Sequence, residues 1–178
     1  MAKFIVINQE YQDDGGVYER LFLYMTRAEK TMHGFIGAQY VYMEQGVQDI
    51  AKQMREVAET LNGNQGRALW HFVLSFDRYD EWWITPAIAY QIAGRFVLPL
   101  LDGHQVVYAV HEDTENVHVH FMVNATNFYT GMKFENKREN FQHIADMCSA
   151  TVRISSQGEQ KRIGCQVCYQ ENEDFVEG

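Results

Sequence analysis

The chain reads as an α+β fold, with a mainly antiparallel central sheet and helices packed on it. Three observations predict this. Short apolar strands recur along the chain, and several segments carry apolar residues at three-and-four spacing. The two kinds of segment also follow each other without the regular strand–helix–strand alternation of a parallel sheet.

KFIVIN, from Lys3 to Asn8, is the first strand, and the acidic turn YQDDGG follows it. VYERLFLYMTRAEKT then reads as helical, with Leu21, Tyr24 and Met25 close to one stripe. GAQYVYM is a short strand. GVQDIAKQMREVAETLNGN is the clearest helix, because Val47, Ile50, Met54, Val57 and Leu61 keep the helical spacing and Asn62-Gly63 supplies a stop. ALWHFVLSF alternates, with Trp70, Phe72, Leu74 and Phe76 on one face and His71, Val73 and Ser75 on the other. Thr85 and Pro86 form an N-cap and first-turn pair for a helix through about Leu98. QVVYAVH and VHVHFMVN are two further strands joined by EDTEN. KRENFQHIADMCSA is a last helix, and RISSQGEQKRIGCQVCYQ a hairpin or loop. Residues 1–165 form the expected domain, and residues 166–178 an acidic, flexible C-terminal tail.

A length of 178 residues suits one domain with a core of its own. No apolar run reaches the roughly 18 residues of a membrane span, and MAKFIVINQE is too polar for a signal peptide. Three cysteines argue against a disulfide framework and for a reducing cytoplasm. The lone CxxC of Cys165 and Cys168 reads as a pair of buried thiols.

The segment HEDTENVHVHFMVN, His111 to Asn124, holds three of the seven histidines. Alternation along its second strand places His118, His120, Met122 and Asn124 on one face and the valines and Phe121 on the other. If EDTEN closes a hairpin, His111 comes level with His118, and cross-strand neighbours stand about 5 Å apart. Three imidazoles converging on one ion account for the spacing better than a polar surface strand does, since buried neutral imidazoles add no packing benefit. Glu112, Asp113 and Glu115 add negative potential, and Asp113 is the acid best placed to orient a ligand imidazole.

This segment resembles the third motif of the relaxase (mobilisation nuclease) family, H-x-D-x-x-x-x-H-x-H-x-x-x-N. LFLYMTRAEKT resembles the first motif of that family and HFVLSF the second, in the family's order with the tyrosine ahead of the histidines. The resemblance covers about residues 20 to 135. It implies site-specific nicking of single-stranded DNA at the transfer origin of a plasmid or integrative element. Tyr24 would be the nucleophile and form a 5′-phosphotyrosyl link. A divalent ion, Mg²⁺ or Mn²⁺ first and Zn²⁺ next, would be held by His111, His118 and His120. Asn124 would position the DNA or the site. His71 and Ser75 would touch the phosphate backbone, with Arg27, Lys30, Thr31, Lys133, Lys137 and Arg138 as further DNA contacts. A phenol with a pKa of about 10 is a poor nucleophile at neutral pH, so it needs a base or a nearby cation.

The departure from the family is charge. The chain carries −9, whereas phosphate contacts usually demand a basic groove. An accessory DNA-binding protein that loads the strand is one consequence. Two alternative functions follow as well: a degenerate relaxase-like module that binds DNA or protein without cutting, and a metallo-phosphodiesterase that uses water in place of the tyrosine.

Overall fold

In the computed structural model, the described residues are 1–31, 33–61, 65–149, 151–153 and 160–171. The chain forms β1 (Ala2–Ile7), α1 (Val17–Met25), β2 (Ile36–Gln39), α2 (Val47–Thr60), β3 (Leu69–Ser75) and α3 (Pro86–Ile92). After α3 come a π-helical turn, Ala93–Val97, and a 3₁₀ turn, Leu98–Leu101. β4 (His104–His111), β5 (His118–Asn127), α4 (Arg138–Cys148), β6 (Thr151–Arg153), β7 (Gln160–Arg162) and β8 (Cys165–Gln170) complete the order.

Six strands make the central sheet in the order β2-β4-β5-β3-β1-β8, and β6 and β7 pair separately. Every neighbouring pair in the sheet is antiparallel except β1 and β8. The fold is therefore α+β, as the strand and helix patterns predict. Among the described residues no helix is long and apolar enough to cross a membrane.

Strand alternation gives the sheet two faces, and different helices cover each. Phe4, Val6, Trp70, Phe72, Leu74, Val119 and Phe121 pack with α3, α4 and the turns after α3. Ile5, Ile7, Leu69, Val73, Val107, Ala109 and Met122 pack with α1 and α2. Phe72 and Phe121 are fully buried at the centre of the first face, and each such side chain contributes about 1.5–3 kcal/mol by leaving water. His111, His118 and His120 lie on the second face, beneath α1.

Several boundaries depart from the sequence expectation. α1 stops at Met25 instead of running to Thr31, because Thr26 turns its hydroxyl back onto Phe22 O at 2.8 Å. Arg27 to Thr31 then form a tight turn closed by Lys30 N and Thr31 N on Arg27 O. β2 ends at Gln39 because Tyr40 adopts a left-handed backbone, φ 58°. Thr85 does cap α3, accepting from Ile88 N, but α-helix ends at Ile92 and the widened and tightened turns carry the chain past Gly94 and Pro99. The sheet also runs beyond residue 165. β8 pairs with β1 from Ala2↔Cys165 to Ile7↔Gln170, so 166–170 belong to the sheet and not to the expected tail. The Asn62-Gly63 stop and residues 172–178 of that tail lie outside the described residues.

Candidate metal centre and its tyrosine

The hairpin of β4 and β5 sets the site. Register pairs His111 with His118 and Ala109 with His120, which places the three imidazoles at one end of one sheet face. Ring centroids stand 4.1 Å apart for His111 and His120, 5.2 Å for His111 and His118, and 5.0 Å for His118 and His120. One nitrogen from each of the three can be chosen so that all lie within 4.8 Å of one another. All three side chains are buried.

Hydrogen bonds assign the tautomers. His111 Nε2 donates to Met25 O at 2.8 Å, at the C-terminal end of α1, and His111 Nδ1 is buried without a partner. His118 Nδ1 donates to Asn116 O at 2.9 Å. His120 Nδ1 lies 2.8 Å from His71 Nε2, and His120 Nε2 is again buried without a partner. A carbonyl can only accept, so the protons of His111 and His118 sit on the nitrogens facing those carbonyls. Buried ring nitrogens without a partner are costly for imidazoles with no ligand and natural for imidazoles that hold a cation, so the residues fit a three-histidine divalent site.

Electrostatics point the same way. Burial pushes His111 down to about 4. Burial, joined by the charges of His111, His71, His118 and Lys30, holds His120 well below its ordinary range. Both are therefore neutral imidazoles at pH 7, the form that can bind a cation. The depressed His111 value also predicts how the metal-free fold responds to acid. Between about 6.5 and about 4 the unfolded chain takes up a proton at this position and the folded chain does not. Stability is thus expected to fall as pH drops through that window, by on the order of 3 kcal/mol from this group. Urea midpoints measured in chelator at several pH values should show the loss, and His111→Gln should flatten the slope.

Tyr24 stands over the cluster from the last turn of α1. Its ring lies 5.6 Å from His120, 6.0 Å from His111 and 6.4 Å from His71, edge-on to each. It is half-buried. Lys30 Nζ sits 4.8 Å from the ring centroid and the exposed Arg27 guanidinium 5.6 Å. Lys30 is itself 5% exposed and paired with Asp113 at 3.2 Å. Asp113, expected to orient a ligand imidazole, is thus placed as the partner of this lysine. Met25 O and Asn116 O hold the rings of His111 and His118, and His71 Nε2 lies against His120 Nδ1. Ser75 is partly exposed and lies across the ladder from His118.

Other residues expected at the DNA lie elsewhere. His71 is fully buried behind His120, and its Nδ1 is 3.0 Å from the hydroxyl of buried Tyr11. Thr31 is buried and closes the turn by donating to Arg27 O. Lys133 donates to Arg67 O, beside the Thr126↔Lys133 bridge and about 20 Å along β5 from His120. Lys137 and Arg138 begin α4, whose Phe141 and Ile144 pack on the opposite sheet face. Following the histidines in sequence thus carries these three cations away from them in space.

Asn124 shares the histidine face but lies four residues along β5 from His120, about 13 Å away. It is fully buried and saturated: Nδ2 donates to Met54 O and Gln105 Oε1, both at 2.9 Å, while Oδ1 accepts from Thr126 N at 3.1 Å. It ties α2 to the sheet and does not reach the cluster. Asn124→Ala removes the partner of buried Thr126 N and of Gln105 Oε1, so it should cost about 2–3 kcal/mol. A lowered urea midpoint with unchanged metal affinity at 20 °C or below, where the variant is still folded, checks this.

An antiparallel sheet that aims three imidazoles at one point beneath a tyrosine is the arrangement expected of a histidine–hydrophobe–histidine nuclease. Comparison with known proteins narrows that class. The family model described as relaxase, MobA/VirD2-like, nuclease domain matches residues 24–153, and the chain belongs to that family. It is 30% identical over 93 residues, 52% of its length, to protein rlx of Staphylococcus aureus. It is 33% identical over 84 residues, 47% of its length, to the group II intron-interrupted relaxase LtrB of Lactococcus lactis subsp. cremoris. Those alignments span 26% and 15% of the respective relatives. No solved structure matches the chain.

Proposed function

We propose that this domain nicks one strand of DNA at a transfer origin and keeps the cut 5′ end on Tyr24. The observation that carries the reading is the Tyr24 ring 5.6 and 6.0 Å from His120 and His111, whose inward nitrogens are bare. His111, His118 and His120 would hold the divalent ion, Mg²⁺ or Mn²⁺ first and Zn²⁺ next. When bound, such an ion would supply Lewis acidity for the charge that grows on the phosphate during attack at phosphorus.

The remaining chemistry belongs to the chain. Tyr24 Oη forms the new bond to phosphorus as its proton leaves to solvent or a base. The bond from phosphorus to the 3′ oxygen breaks, and that oxygen keeps the electron pair and takes up a proton. One phosphodiester is exchanged for another, so attack by a 3′-hydroxyl on the tyrosyl link closes the strand again. Lys30 and Arg27 add positive potential around the phenol, and Asp113 fixes Lys30 in place. Arg27 and Ser75 are the contacts for phosphates on either side of the cut.

The net charge of −9 favours help from an accessory DNA-binding protein that loads the strand. Cys148, Cys165 and Cys168 form no disulfide, which suits a cytoplasmic setting. The test is incubation with single-stranded origin oligonucleotides and Mn²⁺ or Mg²⁺, followed by a denaturing gel. A slower protein band carrying the oligonucleotide is expected. Cleavage without that band favours a water-using phosphodiesterase. Binding without cleavage favours a degenerate module.

A further inference from the structure

Behind the three ligands runs a second line of side chains that the reaction above leaves unused. Tyr11 Oη, His71 Nδ1, His71 Nε2 and His120 Nδ1 follow one another at 3.0 Å, across the ring, and 2.8 Å. His71 and His120 are wholly buried, and Tyr11 nearly so. His71 comes from β3 and Tyr11 from the loop after β1, so two strands beyond the hairpin reach the site through this contact.

The line has two possible polarities. In one, Tyr11 donates to His71 and His71 donates to His120, which leaves the His120 proton on Nε2. That proton would then point into the cluster as a buried donor without a partner, and Nε2 could not bind a cation. In the other, His120 Nδ1 donates to His71 Nε2, His71 Nδ1 donates to the Tyr11 oxygen, and His120 Nε2 presents its lone pair. Met25 O and Asn116 O can fix His111 and His118 in one tautomer only, whereas an imidazole can serve its neighbour as donor or acceptor. His120 is thus the ligand whose state depends on another side chain.

We infer that His71, backed by Tyr11, is a positioning residue for metal binding: it accepts the Nδ1 proton of His120 and so holds the Nε2 lone pair toward the cation. This rests on the reading of His111, His118 and His120 as a metal site. His71 is fully buried behind His120, which sets this role apart from the phosphate contact expected of it.

The test is Mn²⁺ titration of the purified chain by calorimetry, in parallel for wild type, His111→Ala, His71→Phe and His71→Gln, with thermal melts to establish folding. His71→Phe keeps a flat ring and removes the acceptor. His71→Gln brings an amide oxygen to about the position of Nε2 and restores it. The expected result is 10–100-fold weaker Mn²⁺ binding in His71→Phe, with recovery to within about threefold of wild type in His71→Gln. Folded His71→Phe that binds as tightly as wild type overturns the inference. So does equal weakening in both variants, which would mean that packing alone is lost. Absence of Mn²⁺ binding in the wild type, matched by His111→Ala, takes down the metal reading itself and this inference with it.

Discussion

Tyr24→Phe is expected to abolish the covalent protein–DNA adduct while leaving Mn²⁺ and oligonucleotide binding within about twofold of wild type. The rate of adduct formation should fall at least a thousandfold, to roughly the background of the assay, because the nucleophilic oxygen itself is gone. A phenyl ring keeps the edge contacts to His71, His111 and His120, so the cluster beneath it has no reason to collapse. Other tyrosines are poor substitutes. Tyr18 is buried, donates its hydroxyl to Ala68 O at 3.3 Å, and is held protonated by that burial. Tyr11 is buried against His71. Tyr40 is bound to the Asp102 carboxylate at 2.5 Å, and Tyr42 stands against Gln53 of α2. Among the described tyrosines, Tyr24 is the one whose ring stands beside both His111 and His120. An undiminished adduct band in Tyr24→Phe, run beside wild type on one gel, would remove it from the reaction.

The second large effect concerns the ligands. His118→Ala is expected to weaken Mn²⁺ binding by more than the 10–100-fold typical of losing an outer hydrogen bond, because one of the three proposed direct ligands disappears. His118 is the cleanest of the three to remove. Truncating His111 would also strip a donor from Met25 O, and truncating His120 would leave buried His71 without its neighbour. His118 gives up its bond to the loop carbonyl of Asn116 and the weak 3.5 Å contact to Thr114. Adduct formation should vanish at micromolar Mn²⁺ and return in part at millimolar Mn²⁺, as mass action requires if the defect is affinity. Titration of activity against Mn²⁺ makes the comparison. Loss of activity that no concentration of Mn²⁺ restores, in a folded protein with wild-type metal affinity, would assign His118 a different role.

Much of this was legible in the sequence because strands repeat every two residues. Alternation alone puts His118 and His120 on one face, and the five-residue EDTEN connection brings His111 level with His118. The position of Tyr24 followed from the motif order and not from its helix, since α1 buries Val17, Tyr18, Leu21 and Met25 more deeply. What the sequence hid was set by register between distant strands. His71 meets His120 because β3 pairs with β5 in one alignment, Val73 opposite His120, and a shift of one residue would turn His71 to the other face. Its role as a hydrogen-bond partner was therefore invisible until the pairing was known. Asn124 misled for the opposite reason: it shares the histidine face, yet distance along the strand and three hydrogen bonds make it part of the frame. Lys137 and Arg138 follow β5 in sequence, but α4 crosses to the other face of the sheet. The parallel pairing of β8 with β1 was hidden too, because its residues are partly exposed and carry no clean alternation.

The central claim is that the phenol facing the histidine cluster becomes the covalent carrier of the cut strand. Mass spectrometry of the proteolysed adduct tests it most directly, since the attached nucleotide can be located on a single side chain. The added mass is expected on Tyr24, at the 5′ phosphate of the cleaved oligonucleotide. A nucleotide found on any other residue, or a strand cut efficiently with no protein attached, would contradict it.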